Sequence, residues 1–170
     1  MLSDLGEREA ALAAAREAAE LYRALAAQRP DAFRPDLAMS LNNLAAMLSE
    51  LGEREAALAV AREAVELYRA LAAQRPDAFR PDLAVSLAVL ANCLDAVGQT
   101  QDGLTANAAA ISALADHFHR HKAAFAPRIV PMAQAYLKRC EALGIEPDAA
   151  LLGPVVEGLQ ALQAEQGASS

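Results

Sequence analysis

The sequence predicts an all-α fold, an α–α superhelix in which antiparallel helix hairpins stack side by side. Three observations predict it. Residues 20–38 and 66–84 carry the same nineteen residues, ELYRALAAQRPDAFRPDLA, 46 positions apart. Within a unit, apolar residues recur at helical spacing: Leu83, Leu87, Leu90 and Leu94 follow one another by four, three and four, which marks one helical face. Much of the 55 % hydrophobic content is alanine and only 4 % is aromatic. Alanine forms helices well and lets them approach closely, yet buries little area, so such a chain suits many thin helix contacts better than one thick core.

The period extends along the chain. Residues 1–41 and 47–87 differ at four positions, Asp4/Glu50, Ala14/Val60, Ala19/Val65 and Met39/Val85. Gly6, Gly52, Gly98 and Gly144 keep the 46-residue interval, as do Phe33, Phe79 and Phe125, and Pro35, Pro81 and Pro127. A period of this length signals a repeat architecture in which no unit can bury its apolar face alone. The chain is read as one repeat domain, 1–170, with units at about 1–34 (partial, its first helix missing), 35–80, 81–126 and 127–170.

Element by element, Met1 aligns with Met47, ten residues into a first helix, so the chain opens on a helix tail and continues as a long helix at about 7–29. One apolar flank of that helix is then uncovered, which suggests a fragment of a longer array or a start covered by another chain. The second long helix is read from about Glu53 to Gln74, with Glu53 and Glu55 complementing its dipole and Ala57, Ala61, Ala64, Tyr68 and Leu71 on its inner face. Arg75-Pro76 ends it, because proline disfavours helix in the residue before. Pro76–Pro81 reads as a connector whose Phe79 plugs the gap between hairpins, and Pro81 opens a shorter helix that runs to Val97 before Gly98. After Gly144, Gly153-Pro154 divides the last segment into helical pieces at 148–152 and 154–166, either a capping helix or a divergent fourth unit, followed by a frayed GASS tail.

Charge and composition exclude several classes. The net charge is −7 and the basic residues interleave with acids, so no basic stripe for nucleic acid exists. No apolar run reaches membrane-helix length, and MLSDLGEREA has no secretory pattern. Two cysteines, Cys93 and Cys140, form no disulfide framework, which favours a reducing, cytoplasmic setting.

The run Asn43-Leu44-Ala45…Leu48…Leu51-Gly52…Ala57-Leu58…Ala61…Ala64 resembles the tetratricopeptide repeat, with small residues at Ala45, Gly52, Ala57 and Ala64 where paired helices come closest. The family's usual unit is about 34 residues. Here the second helix continues about three turns past the position of the usual closing proline. The likeness is therefore to long-repeat variants, such as kinesin-light-chain-like and actinobacterial-type arrays. It covers residues 1–145. The resemblance implies that the shorter helices line a concave groove. Matching positions are Met39, Asn42, Asn43, Ala46 and Ser49, then Val85, Ala88, Val89, Asn92 and Asp95, then Gln134, Ala135, Lys138 and Glu141. Of these, Asn42, Asn43, Ser49, Asn92, Asp95, Gln134, Lys138 and Glu141 are the candidate peptide-binding residues. An amide offers both donor and acceptor to a peptide backbone, although Asn42 and Asn43 read equally as solvated helix residues.

Catalytic chemistry has little support. Copied segments supply the same residues twice, whereas an active site needs different groups converging once. His117 and His121, four apart, could share a helix face and reach one metal; as imidazoles at a helix C-terminus they need no metal. Cys93 and Cys140 read as small buried hydrophobes, and Lys138-Arg139 as solvated helix surface. No catalytic residue, metal site or cofactor is nominated. The expected function is a non-catalytic protein–protein interaction scaffold holding a peptide or partner helix, part of a larger signalling protein. The alternatives are a self-associating repeat protein joined head to tail through its uncovered first helix and, remotely, a metal-binding protein using His117 and His121.

Overall fold

Arg29, Arg75 and His121, spaced by 46, are the single-residue corners of the structure. Each leaves helical geometry at φ near −136° to −138° and ψ between 62° and 77°, which reverses the chain. In the first two, the following proline forbids helix at the corner and then starts the next helix at its first position, where a missing N–H matters least. The corner arginines fold back over the rings of Phe33 and Phe79, 4.9 and 4.8 Å from their centroids.

The structure is a computed structural model describing residues 2–167, with side chains over residues 6–165. Met1 and most of the GASS tail lie outside the described residues. Among those described there are seven helices: α1 (Leu2–Gln28), α2 (Pro30–Glu50), α3 (Arg54–Gln74), α4 (Pro76–Ala96), α5 (Thr100–Arg120), α6 (Lys122–Leu143) and α7 (Ala149–Gly167). From α1 to α6 each helix packs antiparallel on the next, and α2 also touches α4 directly. This is the all-α array of hairpins the sequence predicts. Its core is a ribbon of leucine and alanine, from Leu12 through Leu41, Leu48, Leu58, Leu87 and Leu94 to Leu114 and Ile129. Of the small residues expected at the closest approaches, Ala45, Ala57 and Ala64 are buried, whereas Gly52 is an exposed turn residue.

Three helix boundaries differ from expectation. Pro76–Pro81 is helical, as is its counterpart from Pro30 to Pro35, so the connector is one residue and α2 to α5 are all 21 residues long. Pro35, Pro81, Pro127 and Pro154 are each the sixth residue of their helix. A proline there removes one hydrogen bond, from the carbonyl four residues before, while packing holds the turn ahead of it. Phe79, in that turn, packs with Leu83 against Ala38, Tyr68 and Leu71. For the same reason Gly153-Pro154 does not split α7. Gly6, finally, lies inside α1; the few residues before it extend the helix, since so short a stretch cannot nucleate a separate one.

The other corners use Gly52, Gly98 and Gly144, with φ of 79°, 81° and 64°. At Gly98 the motif is complete: its N–H reaches Asp95 O and that of Gln99 reaches Leu94 O, both 2.9 Å. After Gly144 the register continues but the packing changes. α7 lies against α5 as well as α6, and Gly158 sits directly on the ring of the buried Phe118.

Candidate functional site

Two hollows open between successive units on the side lined by α2, α4 and α6. The first, about 470 Å³, lies between α2 and α4, with Tyr68 of α3 behind it and Arg128 of α6 at its end. The repeat brings position 36 of each unit there, so Asp36, Asp82 and Arg128 form a ladder at intervals of 46 residues. Neither aspartate has an ion-pair partner within 4 Å among the described residues. Burial pushes the Asp82 carboxyl up, partly offset by Arg128. Arg128 itself leans towards Phe125, 5.9 Å from its ring centroid. Tyr68 is 5 % exposed, and its hydroxyl has no hydrogen-bond partner among the described residues. Its pKa is pushed up to about 12, first by burial and then by Asp82 and Asp36.

Several sequence-nominated residues line this groove: Met39, Asn42, Asn43 and Ala46 from α2, and Val85 and Val89 from α4. Asn43 is exposed, and Met39 is 53 % exposed although it is a large apolar residue. Asn42 is half-buried and accepts a hydrogen bond from Ser86 Oγ at 2.9 Å, so its carbonyl already serves the seam between units. Ser49 and Ala88 are half-buried and line neither of the two hollows.

The second hollow, about 350 Å³, lies between α4 and α6 beside the start of α5. Asn92, Asp95, Ala135 and Lys138 line it, together with Arg139. Arg139 is only 5 % exposed, which corrects its reading as solvated surface. Its guanidinium donates to Asn92 Oδ1 at 2.8 Å and to Asn107 Oδ1, and pairs with Asp95 Oδ2 at 2.8 Å. Asn107 in turn donates to the Met132 carbonyl at 3.0 Å. Asn92 and Asp95, nominated as ligand-facing, are thus engaged in anchoring α6. Arg139 Nε and Asp95 Oδ1 remain buried without partners, both beside Gly103, where a Cβ would stand 3.4 and 2.7 Å from them. Gln134 is exposed and lines neither hollow; Glu141 borders a separate depression with Cys140 and Ile145.

Alignment at 46 residues explains the second hollow. Asn92, Asp95, Gly103, Asn107 and Arg139 stand where the preceding unit has Ala46, Ser49, Ala57, Ala61 and Cys93. A small, mostly apolar cluster has become a charged one, and each change serves the others: the guanidinium needs acceptors and room. That alignment was the signal available for Arg139. Asp36 and Asp82 carried one as well, because each follows a repeated proline.

The histidine cluster is not a chelate. His121 is the corner residue rather than part of α5, so it does not share a helix face with His117. His117 is buried; its Nε2 lies 3.1 Å from the Asp77 carbonyl and its Nδ1 is enclosed without a partner. Among the described residues no group of three or more His, Cys, Asp or Glu is placed to hold a metal. Cys93 and Cys140 are both buried free thiols, and burial raises the Cys93 pKa, away from a reactive thiolate.

Residues 37–74 match the tetratricopeptide repeat family. The matched tetratricopeptide repeat takes in α2 from Leu37 and the whole of α3. It therefore supplies one wall of the first hollow and Tyr68 behind it. No curated protein and no solved structure matches the chain. No helix among the described residues is long and apolar enough to cross a membrane.

Proposed function

We propose that this chain is a non-catalytic protein–protein interaction scaffold whose α2/α4/α6 face receives a peptide or partner helix. The observation that carries the reading is the first groove. It combines exposed Met39 and part-exposed Val85 and Val89 with side-chain polar groups of Asn43, Asp36 and Tyr68 that have no hydrogen-bond partner among the described residues. Apolar area supplies affinity, and sparse polar groups fix orientation. The tetratricopeptide repeat at 37–74 supports it, as that family is generally used for protein contacts. The 46-residue period supports a likeness to the family's long-repeat variants. Affinity capture from the source cell with wild-type chain and with Asn43→Asp/Val89→Asp tests the proposal. A partner retained by the wild type and lost by the variant, with helical content unchanged, supports it. Equal retention moves the interface elsewhere.

A second reading is head-to-tail self-association through α1. Ala15, Ala18, Tyr22 and Leu25 are partly exposed, whereas their counterparts Ala61, Ala64, Tyr68 and Leu71 on α3 are buried. Leu21 is 59 % exposed on the same helix. An apolar face that a neighbouring unit covers elsewhere in the chain can be covered by a second copy. Light scattering over a hundredfold concentration range decides: a rising mass that Tyr22→Glu abolishes supports it, and a constant monomer mass removes it.

A further inference from the structure

The ladder Asp36–Asp82–Arg128 points to what the groove selects. Among the described residues, two carboxylates from successive units face one hollow without an ion pair within 4 Å, and Arg128, which lines it and acts on Asp82 only through its field, stands over Phe125. Behind them Tyr68, 95 % enclosed, turns an unsatisfied hydroxyl towards the same space. A tyrosine enclosed to this degree usually finds a partner for its hydroxyl, and here none of the described residues supplies one. The acidic pair and the hydroxyl lie on three different helices, and the fold alone brings them together. Met39 and Val85 supply apolar surface on the α2 and α4 walls.

We propose that the groove between α2 and α4 recognises a lysine or arginine side chain flanked by apolar residues on a partner protein. The inference rests on the groove reading above and adds the partner's charge. The cationic head sits between Asp36 and Asp82, and the flanking apolar side chains cover Met39 and Val85. The Tyr68 hydroxyl donates to a backbone carbonyl of the bound segment. A cation inserted into a concave, partly desolvated hollow lined by two carboxylates is attracted by both. Arg128, whose charge acts on Asp82, disfavours a second cation on its side of the groove, which sets the direction of the segment.

The test uses the full chain, isotopically labelled, and three synthetic probes: acetyl-Gly-Leu-Arg-Leu-Gly-amide and its citrulline and glutamate analogues. Binding is followed by the amide resonances of Asn43, Tyr68 and Val89. The arginine probe is expected to bind at least about tenfold more tightly than either analogue, and to weaken severalfold between 20 and 200 mM salt. Asp36→Asn/Asp82→Asn should remove most of that preference, and Tyr68→Phe should weaken the arginine probe about threefold. Helical circular dichroism checks that each variant is folded. If the citrulline probe moves the same resonances with equal affinity, or the double variant keeps the preference, charge selection is overturned while the groove survives. If no probe moves these resonances at millimolar concentration, the groove reading falls with it.

Discussion

His117 Nε2 lies 3.1 Å from the carbonyl oxygen of Asp77, the acceptor that Pro81 deprives of its helical N–H. A proline at the sixth position of α4 breaks one rung, and a side chain from α5 replaces it. Donation to a carbonyl requires the proton on Nε2; in a neutral ring the enclosed Nδ1 is then the bare nitrogen. The preceding unit has Leu71 at this position and no such repair. Long-range nitrogen–proton correlation should show the Nε2–H tautomer. His117→Ala should destabilise the fold by about 1–3 kcal/mol, read from urea unfolding. In a Pro81→Ala background, where residue 81 regains its N–H, that loss should shrink, a non-additivity a purely apolar role for His117 would not produce.

The Arg139 cluster predicts a transplant. Arg139→Ala leaves the buried Asn107 and the partly exposed Asp95 without their cation and should cost about 1–3 kcal/mol. Replacing the cluster by its counterparts, Asn92→Ala/Asp95→Ser/Asn107→Ala/Arg139→Cys, should recover most of that loss, because the preceding unit packs with those residues. Gly103→Ala should cost about 1–3 kcal/mol alone, its Cβ falling 2.7 Å from Asp95 Oδ1, and much less in the transplanted protein. Denaturant unfolding of the four variants checks this.

Tyr68 predicts a window of alkaline sensitivity. Its folded pKa of about 12 lies above the unfolded value of about 10, so the folded state holds the proton more tightly. The stability this confers is complete below the unfolded value and is lost as pH rises through the folded one. The stability gap between wild type and Tyr68→Phe should therefore change between pH 10 and 12 and stay level below. Asp36→Asn/Asp82→Asn should lower the Tyr68 pKa without restoring it to the usual range, since burial is the larger cause.

Gly158 predicts how α7 is held. A side chain there would collide with the Phe118 ring, so Gly158→Val should displace α7 while leaving α1 to α5 folded. Hydrogen exchange should lose protection across 149–167 and around Phe118, with a stability loss of about 1–3 kcal/mol. Protection kept in α7 would show that its other contacts suffice.

Much of the groove was legible beforehand. Met39, Asn42, Asn43, Val85 and Val89 were nominated from the likeness to the tetratricopeptide repeat, and all five line the first hollow. Asp36, Tyr68 and Asp82 were missed because two follow prolines then read as the junction of connector and helix, and one was assigned to the inner helix face. Asn92 and Asp95 were nominated without their internal partner, Arg139, which lies 47 and 44 residues further along the chain. Pairings at such separations follow from how successive units stack, and no local pattern reports them.

The sequence by itself determined the period, the antiparallel hairpin unit, the apolar stripe of each helix and the glycine corners. These are properties of one chain segment and its copies, set by helical spacing and backbone sterics. Only the tertiary structure decided that the prolines lie within helices, that Arg139 is buried, and that two aspartates and a tyrosine share one hollow. A broken helical rung or a desolvated charge is tolerable only where another helix supplies what is missing, and that supply exists only after the units have stacked.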